Sequence, residues 1–428
     1  MMRKIKGIIL GVTMMSMVGG MAMPANLPSA VTGVNVVKAE NITYKGKCGD
    51  HATYKYDKDT RTLTISGTGD IWDDAGFARS LYDTENIVIE NGIKTIGSNN
   101  FTDMYYLKSI SIPESVTTIK SKAFSYVEGE VEIPKTVTRI EKYAFDGADE
   151  YVIRGDVSGY GYEALGRIQS QITLYGDAKE LAKAIHRTPG ASVILAEENN
   201  KCTIKNGCLL SADGTQLYYY VSKGKQVVIP DTVNIITQAA FSERNIKKIT
   251  LGKNVTTIGE YAFEDSNVES VVFNSKLKEI KQGAFVRTFM KKAAFKSSVK
   301  IAANAFDSKV VISNSKKYKN IQTTVTNAKM KKKTMSISFA KVANTKGYQI
   351  RVTKGKKKYT YTTTKNTFSK KAPSKIYKNY NVKMNYSYEE LCDNIKVKGG
   401  VYVTVRPYKM VKGKKSYGKW SAKRILSK

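Results

Sequence analysis

Seven phenylalanines fall in one register. Phe101, Phe124 and Phe145 are spaced by 23 and 21 residues, and Phe241, Phe263, Phe285 and Phe306 by 22, 22 and 21. Five residues before each stands an isoleucine: Ile96, Ile119, Ile140, Ile236, Ile258, Ile280 and Ile301. Eight residues before six of them sits an aliphatic side chain (Ile93, Val116, Val137, Val233, Val255, Leu277); Ser298 takes that place in the seventh. A unit of about 22 residues holds only one strand, a corner and a return, too little for an antiparallel meander. It suits a solenoid coil that stacks its apolar residues on those of its neighbours. The seven Ile–Phe pairs are therefore expected to form one continuous apolar spine.

The strand of each unit reads L-x-x-L-x-L with period-two alternation, as in Leu107-Lys108-Ser109-Ile110-Ser111-Ile112. Ile246 to Leu251 and Val268 to Phe273 are further copies. Pro113, Pro134 and Pro230 close their strands, because proline cannot donate the next ladder bond. Ile112 to Phe124 and Ile229 to Phe241 resemble the unit I-x-I-P-x-x-V-x-x-I-x-x-x-A-F of the bacterial BspA-like leucine-rich repeats. That resemblance implies a mainly β fold, a leucine-rich-repeat solenoid over residues 81–318, and roles in adhesion or host interaction.

Within it, 150–225 reads as an irregular insertion, since Leu165 stands where phenylalanine is expected and Tyr160 where isoleucine is. Cys202 to Tyr220 looks like a hairpin, with turn signals at Asn206-Gly207 and Asp213-Gly214. Upstream, 40–80 resembles the small β cap that precedes such repeats in secreted proteins of Gram-positive bacteria. A solenoid needs a cap because its first coil would otherwise expose stacked core.

The first 39 residues have the layout of a cleaved secretory signal peptide. Met1 to Lys6 is basic, Gly7 to Met23 is uncharged and apolar, and small residues offer cleavage after Ala22 or Ala39. A membrane-anchoring helix is the alternative, its length just permitted. An exported protein, secreted or associated with the cell surface, is the expectation, with no transmembrane segment in the mature chain.

Charge is concentrated at the other end. The whole chain carries a formal +33, and 321–428 holds 28 Lys and Arg against Glu389, Glu390 and Asp393. Alternating runs such as Gly347 to Val352 and Val401 to Arg406 argue a β-sandwich. Gly347-Tyr348-Gln349-Ile350, Tyr402 to Arg406 and Gly418 to Ser421 resemble a fibronectin type III module over 319–428. It departs from that family in Phe339, where tryptophan is usual, and in an apparent insertion at 375–398.

Little here speaks for catalysis. There are two histidines, His51 and His186, and no Gly-rich phosphate loop, nucleophile elbow or H-E-x-x-H helix. Cys48-Gly49-Asp50-His51 gathers a thiol, a carboxylate and an imidazole, but a Cys–His nucleophile needs the two aimed at each other, normally from separate elements. Cys202 and Cys208 could bridge in an exported chain, yet the Asn206-Gly207 turn would pair Lys205 with Cys208 and hold the sulfurs too far apart. No enzyme, cofactor or metal is expected.

Two candidate surfaces remain. Alternation points Ser109, Ser111, Glu130, Glu132, Lys248, Thr250, Ser270 and Val272 outward from the strands, to meet an extracellular protein or glycan. Lys331, Lys332, Lys333, Lys356, Lys357, Lys358, Lys412, Lys414 and Lys415 cluster at hairpin turns. They read either as solubility devices or as a grip on an anionic cell-wall polymer or acidic glycan by long-range attraction. Nucleic acid is a minor outcome at an exported address. The competing function is a non-catalytic spacer or accessory scaffold for an extracellular enzyme system.

Overall fold

The computed structural model describes residues 43–125, 129–166, 171–185, 192–314, 321–377 and 400–427. Residues 1–39, expected from the sequence to be a signal peptide, lie outside them, as does Cys392. The fold is mainly β, 45% strand and 3% helix, with a β-solenoid of about eleven turns.

Each coil contributes to parallel ladders because the same apolar residue recurs at the same corner. Ile96, Ile119, Ile140 and Tyr160 pair in register, as do Leu217, Ile236, Ile258, Ile280 and Ile301. On another side Val131, Tyr151, Ile172 and Val193 form one ladder, and Val227, Ile249 and Val271 another. The seven register phenylalanines are fully buried. Their rings lie nearly parallel, with centroids 5.0 Å apart from Phe101 through Phe124 to Phe145, and 4.8 to 4.9 Å apart from Phe241 to Phe306.

The spine is not continuous. It is two stacks in two separate apolar cores, and each stack has one member that the Ile–Phe register does not reveal. Phe77 stacks on Phe101 at 5.3 Å, and Tyr220 on Phe241 at 5.3 Å. What divides them is the antiparallel meander Cys202–Lys205, Cys208–Ser211 and Gln216–Tyr220. Leu209, Tyr218 and Tyr219 pack into the first core, whereas Cys208, Leu210, Leu217 and Tyr220 pack into the second. The meander thus closes one block of coils and opens the next. Its last strand pairs in parallel with Ile235–Ile236, as the last cap strand, Thr62–Asp70, pairs with Asn86–Ile89. Arg244 reinforces the junction, its guanidinium 4.4 Å above the Tyr219 ring.

The described strands of the stretch read as irregular from residue 150 continue the coil ladders up to Leu195. Tyr160 pairs with Ile140, Leu165 with Phe145, and the Gln171–Leu174 and Ser192–Leu195 strands extend the sheet. A coil needs buried apolar volume at those places, and tyrosine and leucine supply it without matching the letters. The hairpin pairing holds as expected: Lys205 faces Cys208 and Cys202 faces Ser211. Cys48, Cys202 and Cys208 are all free and buried.

Each corner before the ring position turns through the left-handed region. Two residues ahead of the ring or its leucine stand-in, Asn99, Lys122, Tyr143, Glu163, Ala239, Tyr261, Gly283 and Asn304 have φ between 51° and 65°. A side chain there strains the backbone by about 1 kcal/mol. Lys122 is exposed, so Lys122→Gly is expected to raise the unfolding free energy by about 0.5 kcal/mol, part of the relief being offset by glycine's freer unfolded chain. A urea titration measures this, and a fall in midpoint would refute it.

The basic module is built from two antiparallel sheets. One joins Val325–Lys331, Thr334–Phe339 and Thr367–Lys371; the other runs Lys357–Thr363, Gly347–Lys354, Val401–Val411, Lys414–Tyr417, with Arg424–Ile425 also paired to the long strand. It is not a separate body joined at 318. Val342 pairs in parallel with Ile312, Thr324 Oγ1 donates to the Ala302 carbonyl at 2.7 Å, and Gln322 Oε1 accepts the Ile301 amide at 3.1 Å. One apolar core runs from Cys208 through Phe306 and Ile312 to Phe339 and Leu426. The module is the solenoid's C-terminal cap.

Candidate binding surfaces

The outward strand residues fall into two groups rather than one face. In the first block Ser109 and Ser111 are exposed one coil before Glu130 and Glu132, also exposed. Ser109 Oγ donates to Asn86 Oδ1 at 2.8 Å, and Glu132 accepts from Arg154 Nε at 2.7 Å. In the second block Lys248 and Thr250 pair in register with Ser270 and Val272; Thr250 is half-buried and the other three are exposed. The strands Glu150–Ile153, Gln171–Leu174 and Ser192–Leu195 and the meander intervene in the chain.

The two groups also differ in charge. Residues 41–200 hold 24 Asp and Glu against 18 Lys and Arg, whereas 201–320 hold 20 Lys and Arg against 9 Asp and Glu. The first segment is therefore net acidic and the second net basic. A single charged ligand would be attracted to one and repelled by the other.

The nine lysines are all exposed. Two of their three turns border the same segment. The Lys333 carbonyl accepts the Ala372 amide at 2.7 Å and Lys354 Nζ donates to the Ile376 carbonyl at 3.1 Å, so the 331–333 and 355–358 turns flank one short segment. Lys412, Lys414 and Lys415 stand at the opposite end. The Val401–Val411 strand starts opposite Lys354 and passes Gly347 at Tyr408 before reaching them. No acidic residue lies within the described residues of the module, since Glu389, Glu390 and Asp393 all fall outside them.

A reading keyed to lysine runs passes over Arg351 and Arg406, which stack with Trp420. The available signal was scarcity: Arg351, Arg406 and Arg424 are the only arginines among the module's 28 basic residues.

The three described cysteines offer no nucleophile. Burial pushes the Cys48 and Cys202 thiols up to about 11 and the Cys208 thiol up to about 12, which keeps them protonated near neutrality. Cys48 is enclosed while His51 is exposed, so the pair is not assembled. Among the described residues no group of three His, Cys, Asp or Glu could hold a metal ion, and no helix is long and apolar enough to cross a membrane.

A family comparison agrees with the repeat register. The family model of the BspA type leucine rich repeat region matches residues 56–152 and 214–338, in six copies and over just more than half the chain. A leucine-rich repeat protein of Eubacterium ventriosum is 18% identical, over 63% of this chain and 84% of that one, with a TM-score of 0.39. The pneumococcal vaccine antigen PcpA is 17% identical over 63% and 81%, at 0.39. A leucine rich cell surface protein of Faecalibacterium prausnitzii is 17% identical over 64% and 88%, at 0.41. No curated protein matches.

Proposed function

The chain belongs to the BspA-type leucine-rich-repeat family, and from that we propose that it is a secreted, surface-associated binding protein of a Gram-positive bacterium. Repeats of this family point to protein-binding or adhesion roles at the cell surface. In this reading the outward rows around Ser109, Ser111, Glu130 and Glu132, and around Lys248, Thr250, Ser270 and Val272, meet an extracellular protein or glycan. The C-terminal module holds anionic envelope or glycan polymers. Its arrangement, three strands against four with a short fifth, supports a fibronectin type III-like assignment, with Phe339 filling the core place of the usual tryptophan. The charge pattern of residues 1–39 supports export.

The observation that carries this reading is 28 basic against three acidic residues on a module that shares its core with the end of the solenoid. Retention by purified Gram-positive cell walls tests it. Bound protein is expected to fall steeply as salt rises from about 50 mM to several hundred millimolar, as counterion release requires. Retention that ignores salt, or none at low salt, would refute the polymer-holding role.

A second reading, a non-catalytic spacer for an extracellular enzyme system, draws on the unbroken core from Cys208 to Leu426, which makes a stiff strut. It expects no retention by walls or glycans.

A further inference from the structure

The five-stranded sheet of the module turns one face away from the core, and that face carries a run of aromatic and cationic side chains. Alternation places Gln349 and Arg351 there from Gly347–Lys354, Thr404, Arg406 and Tyr408 from Val401–Val411, and Lys415 and Tyr417 from Lys414–Tyr417. Arg406 lies opposite Gln349 in register and Arg351 opposite Thr404, which makes the two arginines diagonal neighbours. Trp420 joins them. Arg351 Cζ is 4.1 Å from its ring centroid and Arg406 Cζ 4.5 Å, while Arg406 is also 3.8 Å from the Tyr417 centroid. Farther along, Lys415 Nζ stands 4.7 Å from the Tyr408 ring.

Two neighbouring guanidiniums repel, and among the described residues no carboxylate faces either. Burial, with the charge of Arg351 beside it, holds Arg406 below the usual arginine range. The donors are largely unspent: Arg406 donates from Nε to Gln349 Oε1 at 2.8 Å, and the Nη groups of both arginines have no protein acceptor among the described residues. The rings hold both planar forks in place, which lowers the entropy lost when an anion is gripped. Arginine in place of the module's ordinary lysine is the residue type that engages an oxyanion through two parallel bonds.

We propose that this face is the anion-selecting site of the module, where Arg351 and Arg406 receive the phosphodiester or sulfate oxygens of an anionic polysaccharide. It rests on the polymer-holding reading above and assigns the selectivity to these two arginines, the lysine turns supplying only long-range attraction. A glycan is favoured over a nucleic acid because single-stranded chains bind by stacking bases on open aromatic faces. Here Trp420 and Tyr417 are already stacked by guanidiniums.

The full chain is titrated with phosphomannan (a phosphodiester-linked polysaccharide), dextran sulfate, neutral dextran and an oligodeoxynucleotide of matched charge. At least one anionic polysaccharide should bind and neutral dextran should not; which of the two is held identifies phosphate or sulfate as the source. The double variant R351K/R406K keeps the net charge and should weaken that binding about tenfold. The variant K331Q/K332Q/K333Q should mainly flatten the salt dependence. In Trp72→Phe protein Trp420 is the single tryptophan, and its emission should shift saturably with the polymer; this readout needs no arginine variant and holds even if R351K/R406K folds poorly. Unchanged affinity in R351K/R406K with silent Trp420 emission would overturn the site while leaving the lysine turns to hold the polymer. Equally tight oligodeoxynucleotide binding would overturn the glycan assignment. A wild-type chain that binds none of the polymers would sink both readings.

Discussion

A chain ending at Asn314 is expected to lose its second block of coils along with the basic module. The last coil buries Phe306, Val310 and Ile312 completely, and the residues that cover this end of the core come from the module, among them Ile321, Val325, Phe339 and Val342. Truncation also removes the acceptors of the Ile301 and Asn304 amides, which bond to Gln322 Oε1 and to the Val325 carbonyl. Each large apolar side chain returned to water costs about 1.5–3 kcal/mol, so three already approach the 5–15 kcal/mol that typically separates a folded domain from its unfolded chain. The coils are in parallel register, so a newly bared edge would also invite pairing with another molecule. Insolubility, or loss of amide protection spreading inward from Ile301, is the expected result by hydrogen exchange. A soluble truncated chain with its protection intact would show that the module does not act as a cap.

Phe263→Ala is the second large effect, expected to cost about 3–5 kcal/mol. Its ring is fully buried between Phe241 at 4.9 Å and Phe285 at 4.8 Å, and a tightly stacked column has little room to collapse around a cavity. The distribution of the damage is more informative than its size. In a solenoid each coil touches only its neighbours, so destabilisation spreads along the block that contains it. The two tryptophans report on different parts of the molecule: Trp72 lies beside the first block and Trp420 in the module that closes the second. The urea transition seen through Trp420 should move to lower concentration, and that seen through Trp72 should stay. Equal displacement of both would mean that the meander couples the blocks into one cooperative unit.

These two experiments probe what the residues alone left unresolved. The register of isoleucine and phenylalanine is visible in the sequence because a coil repeats one local environment, and a local environment leaves a periodic trace. Phe77, Tyr220, Tyr160 and Leu165 escaped that register for a physical reason. At Tyr160, Leu165 and Tyr220 the coil requires apolar volume and tolerates several shapes, whereas Phe77 has the expected ring but Trp72 in place of the isoleucine five residues before it. A pattern tied to two residue types therefore stops short of the real ends of each stack. The hairpin at Cys202 to Tyr220 was visible through its turns. Its role as a partition was not, because that depends on which faces of the strands meet which core, and the pairing shifts register between Leu209 and Leu210.

The candidate surfaces divide in the same way. Period-two alternation is enough to tell that Ser109, Glu132 or Lys248 points outward. It does not tell that the first group sits in an acidic block and the second in a basic one behind a meander. The lysine turns were legible as charge runs, whereas the stack of Arg351, Trp420, Arg406 and Tyr417 draws residues from separate strands and the segment after them.

The sequence by itself determined the coil, its repeat length, its inward side chains and the basic character of the C-terminal module, all consequences of short-range periodicity and composition. Only the tertiary structure decided that the coils form two cores, that Gln322, Thr324 and Val342 fasten the module onto the last coil, and that two arginines share one tryptophan. Those features depend on contacts between residues far apart in the chain, and no local spacing encodes which distant surface a buried face will meet.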